Sequence, residues 1–212
     1  MPLTGSPPNL TAASANASTS GYVCPVPVWL SEQEYATLRA ACQQMMPSGF
    51  GGPGADEAGV ADYIDTFLGA FTFDPPRIWA GGPSSGRHGG EARFGEFVPL
   101  SRLDELAWRM RIEGSQGRPE REFNGPVIGL QQRYREGLAA LGADFAEVDG
   151  KEQRRRLRAD DDFLELLWEH CCEGMYGAPE YGGNRNGIGW SYIGVEGDVQ
   201  PRGFSDAEVS EP

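Results

Sequence analysis

Apolar side chains in this chain recur at steps of three and four residues, and nowhere do they alternate convincingly with polar ones. A step of three to four lines one face of an α-helix, whereas a half-buried strand requires a step of two. Between the periodic segments lies Gly- and Pro-rich text that no regular element can cross. The pattern therefore predicts an all-α fold, a single helical domain whose stripes share one core. A chain of 212 residues is long enough to bury roughly 70% of its unfolded surface, so it needs no disulfide framework.

The first helix is expected after Ser31, which with Glu34 forms a capping box; Tyr35, Leu38, Cys42, Met45 and Met46 follow at helical spacing until Pro47. A second is expected from Asp56 to about Phe71, with Val60, Tyr63, Ile64, Phe67 and Leu68 on its apolar face and Asp62 and Asp65 off it. Helical spacing returns from Ser101 (Leu103, Leu106, Ala107, Met110) and from about Pro126 (Val127, Leu130, Tyr134, Leu138, Leu141). The last helix opens on Asp160, Asp161 and Asp162, favourable at a helix N-terminus, and carries Phe163, Leu166, Leu167, His170 and Gly174 on one face, with Gly177 beyond its end. Nothing helical is expected after Gly177, although Ser191–Val195 could pair locally as a strand.

The rest of the chain divides by composition. Residues 1–28 read as a disordered leader, since no charged side chain precedes Glu32 and Pro, Ser, Thr, Ala, Asn and Gly dominate. The helical domain is placed at 29–204, with a Gly/Pro-rich insertion at 74–97, a long irregular Gly/aromatic C-terminal arm at 175–204 and an acidic tail at 205–212. The leader has neither the basic and apolar regions of a secretory signal nor an arginine pair, which points to the cytoplasm; a signal on a partner could still carry both chains to the periplasm. No window is apolar enough to span a membrane.

A formal charge of −13 opposes approach to nucleic acid or to an anionic membrane surface. The four cysteines, at 24, 42, 171 and 172, have no metal- or haem-binding spacing. Cys24 and Cys42 could pair under oxidising conditions; Cys171 and Cys172 diverge on a helix and suit burial, or a tether to another chain. His88 reads as a surface residue of the insertion or a partner contact, and His170 as a core imidazole. The arginines at 154, 155, 156 and 158 read as a solvated helix face or a surface for an acidic partner. Gly187-x-Gly189 lacks the third glycine and the strand–helix setting of a dinucleotide site. No catalytic, cofactor-binding or metal-binding residue is therefore assigned.

The arm itself carries large rings, Tyr176, Tyr181, Trp190 and Tyr192, that a disordered tail has no use for, among glycines that let a backbone lie close to its neighbour. This suggests a docking arm with Tyr176, Pro179, Tyr181, Gly182, Gly183, Asn184, Arg185, Gly189 and Trp190 as the partner interface, and Cys171 or Cys172 as a tether. Two other readings compete: a stand-alone carbohydrate-binding module using Trp190, Tyr181 and Asn184, and an enzyme using His170, Cys171 or the aspartates.

The stretch Glu173–Trp190, EGMYGAPEYGGNRNGIGW, resembles the closing motif of the gluconate 2-dehydrogenase subunit 3 family at Glu173, Gly174, Pro179, Tyr181, Gly182, Gly183, Asn184, Gly189 and Trp190. Residues 30–68, which include GADEAGV and then Tyr-Ile-Asp, resemble its opening helices. The resemblance implies a cofactor-free small subunit that accompanies a large FAD-bearing subunit of the glucose-methanol-choline (GMC) oxidoreductase type. That partner oxidises sugars or related alcohols, often with a cytochrome c subunit as electron outlet, and the small subunit aids its folding, stability or export. Many members carry a twin-arginine leader and a shorter insertion.

Overall fold

The computed structural model describes residues 26–49, 51–78 and 99–195, and all regular structure among them is helical. The parts of the leader, insertion and tail beyond these limits, with Cys24 and His88, lie outside the described residues. Helix α1 (Glu32–Met45) begins as expected, with Ser31 and Glu34 each accepting from the other's end of the first turn. Its buried face is Tyr35, Leu38, Ala41 and Cys42.

The expected helix from Asp56 is two helices. Gly59 adopts φ +72° and separates α2 (Ala55–Ala58) from α3 (Val60–Leu68); a short 3-10 turn, Ala70–Thr72, follows. The left-handed conformation at Gly59 is open to glycine without the steric penalty a Cβ brings. Asp65 also departs from expectation, because it is buried. Its carboxylate accepts the backbone N–H groups of Val28, Trp29 and Leu30, which lashes the entry of the chain onto α3.

Helix α4 (Arg102–Ile112) is capped by Ser101, but its expected apolar stripe is not its buried face: Leu103 is 74% exposed and Ile112 is the residue that reaches the core. Helix α5 (Leu130–Leu141) starts four residues later than Pro126, leaving Val127 and Ile128 in an exposed loop. Helix α6 (Gly150–Leu157) takes up the charged stretch, capped by Asp149. On it, Arg155 and Arg156 bind Glu152, and Arg156 also binds Asp144, so much of this basic surface is neutralised locally.

Helix α7 (Asp161–Tyr176) is the central post, packed against α1, α2, α3, α5 and α6. Gly137 on α5 permits a close approach, since a Cβ there would lie 2.2 Å from the Phe163 ring. Within the core the Tyr134 hydroxyl and His170 Nδ1 share a 2.8 Å hydrogen bond, and the two rings stack at 5.6 Å. The chain then folds back through two 3-10 turns, Pro179–Tyr181 and Arg185–Gly187, into α8 (Ile188–Ile193). Helix therefore continues past Gly177, and Ser191–Ile193 are helical rather than strand.

Candidate partner interface

The last turn of a helix leaves four carbonyl oxygens without intrahelical partners. The segment after α7 supplies partners for three of them, counted through Gly177. Asn184 N–H donates to Gly174 O at 2.6 Å, Asn184 Nδ2 to Gly177 O at 2.9 Å, and Trp190 Nε1 to Tyr176 O at 2.7 Å. Asn184 Oδ1 in turn accepts the Gly189 N–H at 2.8 Å, which starts α8. Asparagine suits this position because its backbone is left-handed, φ +43°, and its amide both donates and accepts.

The glycines are fitted just as closely. A Cβ on Gly183 would lie 2.2 Å from Gly174 O, and one on Gly189 would lie 2.0 Å from Met175 O. No larger residue fits where these two backbones lie against α7. The expected interface residues Gly183, Asn184 and Gly189 are therefore interior, with Asn184 wholly buried. This corrects their placement as contact residues: the arm is chiefly an extended cap on its own helix.

From this cap the motif reaches the opening helices. The Arg185 guanidinium binds the Asp62 carboxylate, which also accepts the Tyr35 hydroxyl. The Arg185 side chain lies over Gly59, where a Cβ would come within 2.6 Å of Nε. Tyr63 O–H donates to Glu173 at 2.7 Å, and the Tyr192 ring covers Gly52. Burial first, and then Glu173, pushes the Tyr63 phenol pKa up, so the hydroxyl remains a donor. The two sequence blocks are thus the two halves of one packed unit.

What the cap leaves outside is apolar. Tyr176, Tyr181, Tyr192, Ile193 and Val195 are between 36% and 52% exposed. Pro179, Gly182, Arg185 and Trp190 are half-buried beside them. Tyr192, Ile193 and Val195 were not singled out as contacts by the sequence; their signal would have been helical spacing after Gly187. Cys171 is fully buried, which corrects its placement as a tether, while Cys172 is half-buried with its thiol pKa raised by burial and by its neighbours. His170 is likewise enclosed, and burial holds its pKa below the ordinary 6.5.

A depression of about 570 Å³ runs along α1 over Ala36 and Ala40. Of its charged neighbours Glu32, Arg39 and Asp56, the last two pair with each other at 2.8 Å. Among the described residues no three His, Cys, Asp or Glu side chains come together as metal ligands, and no helix is long and apolar enough to cross a membrane.

A family model described as gluconate 2-dehydrogenase subunit 3 matches residues 32–197. The chain belongs to that family. The match opens at the first residue of α1 and runs through α8, so it takes in both halves of the packed unit. Comparison with curated proteins and with solved structures yields no match. As a gluconate 2-dehydrogenase subunit 3 family member, the chain is a subunit of an oxidoreductase complex.

Proposed function

We propose that this chain is the non-catalytic small subunit of a flavin-dependent sugar or alcohol dehydrogenase, binding and stabilising a large FAD-bearing subunit of the GMC type. The observation that carries the reading is the division of labour in the C-terminal motif. Glycines and Asn184 fix the backbone from within, and the same backbone holds Tyr176, Tyr181, Tyr192 and Ile193 in solvent on a rigid edge. Aromatic anchors on a pre-set backbone lose little freedom on binding, which is what an assembly surface needs. FAD belongs to the partner, and a cytochrome c subunit completes the electron path.

The carbohydrate-platform reading has no comparable support. Asn184 spends its amide internally and the Trp190 indole N–H is given to Tyr176 O, so two of its three recognition residues have their polar groups engaged. The test is co-expression with a GMC-type flavoprotein subunit from the same genome. The two chains are expected to co-purify with FAD on the large one, and the large subunit made alone is expected to aggregate or lose flavin. A large subunit that is soluble, flavin-loaded and fully active without this chain overturns the proposal.

A further inference from the structure

Helix α7 buries Phe163, Leu167, His170 and Cys171 and turns its opposite face outward. On that face two rows run side by side at four-residue steps. One is apolar: Leu164, Trp168, Cys172 and Tyr176, with the Trp168 ring 48% exposed. The other is acidic: Asp161, Glu165, Glu169 and Glu173, all exposed. A half-exposed indole leaves apolar area in water. Past Asp161, which suits the helix N-terminus, the acidic row works against the helix: like charges four residues apart repel, and Glu173 in the last turn opposes the macrodipole. No Lys or Arg on α7 relieves the repulsion. Among the described residues Asp161, Glu165 and Glu169 form no ion pair, and Arg111 on α4 and Arg133 on α5, whose charges reach His170, form none with the row. Glu173 accepts the Tyr63 hydroxyl.

We propose that this face of α7 seats a basic amphipathic helix of the large subunit, whose apolar stripe packs over Trp168 while its Lys or Arg side chains pair with Glu165 and Glu169. The proposal rests on the reading of the chain as an assembly subunit and names what the partner must present. Side chains four residues apart form a ridge that the groove of a second helix accepts, so the pitch of the rows names a helix. From Leu164 to Tyr176 the ridge is about 18 Å long, enough for about three turns of the partner. Charge complementarity names its basic side chains. The same charge argues against other occupants. A second copy seated by its own α7 would set one acidic row against another, residues 1–31 of this chain bring no charge, and residues 205–212 bring carboxylates and no cation. Continuity supports the seat as well, because Tyr176 stands both on the ridge and on the exposed aromatic edge.

The experiment measures the Kd of the purified chain for a GMC-type flavoprotein subunit from the same genome, at several salt concentrations. Trp168→Ala is expected to weaken binding by about tenfold or more. Glu165→Lys with Glu169→Lys is expected to do the same and to flatten the salt dependence. Its thermal midpoint is expected to stay unchanged or rise, because two of the three repulsions along the row become attractions. Glu120→Lys with Glu147→Lys, exposed carboxylates off α7, changes the net charge equally and is expected to move Kd less than about twofold. Equal weakening by the two double variants reduces the effect to overall charge and overturns the seat; weakening by Trp168→Ala alone contradicts a basic helix. An unchanged Kd in Trp168→Ala and in the α7 double variant, with the wild-type complex intact, overturns the seat and leaves the assembly role standing. A lower oligomeric state of isolated Trp168→Ala in sedimentation, with Kd unchanged, assigns the face to a second copy and also overturns the proposal. Absence of any wild-type complex removes both.

Discussion

Asn184 concentrates the account at a single residue. It is wholly buried, left-handed, and joined to the Gly174, Gly177 and Gly189 backbones. Asn184→Ala leaves the part-buried Gly177 carbonyl and the buried Gly189 N–H without their Asn184 partner, and is expected to lower unfolding free energy by about 2–4 kcal/mol in urea titration. Asn186→Ala is the control, because Asn186 is also left-handed but exposed, and its loss is expected to stay under about 1 kcal/mol. His170 gives a second prediction. Its pKa is lowered by burial, so below about 6.5 the unfolded chain binds a proton that the folded chain refuses. Stability therefore falls as pH drops from about 6.5 to the folded pKa, and levels off below it. Thermal midpoints taken between about pH 7.5 and pH 5.5 are expected to fall further in the wild type than in His170→Gln.

At the scale of elements, Asp65 fastens the segment before α1 to α3 through three backbone N–H groups. Asp65→Ala is expected to cost about 2–4 kcal/mol and to speed amide exchange at 28–30 before exchange in α1. Much at this scale is legible in sequence. Ser31 with Glu34, and Asp160 ahead of its helix, are local signals that side chains satisfy within one turn. The misses have a common cause in distant contacts. Gly59 breaks a helix that periodicity runs straight through, and the Arg185 that lies over it comes from the far end of the chain. Helix α8 has six residues and a glycine before its first, so local propensity is silent; the Gly189 N–H in its first turn is held by Asn184 and the Trp190 indole N–H by Tyr176 O. Asp65 reads as solvated because its partners are backbone groups, which leave no mark on side-chain patterning.

Over the whole molecule, the recognised motif proves to be chiefly an internal joint between the first and last helical blocks, with an aromatic edge as its outward product. Glycine-rich text read as a docking arm because close approach to a partner and close approach to α7 need the same residue type. The distinction lies in burial, which no single sequence displays. The account predicts which positions matter to folding and which to assembly: Gly183, Asn184 and Gly189 to the first, Tyr181, Tyr192 and Ile193 to the second. Tyr192→Ala with Ile193→Ala is expected to weaken the complex by about 2 kcal/mol or more while the isolated chain stays folded, as judged by its thermal midpoint and by titration against the flavoprotein. Amide hydrogen exchange on the chain alone and in the complex tests the central claim most directly. The Asn184 and Gly189 amides should already be protected in the free chain, with new protection on binding falling on residues 176–182 and 190–195. Fast exchange at 184 and 189 in the free chain, or binding protection that avoids both segments, would contradict it.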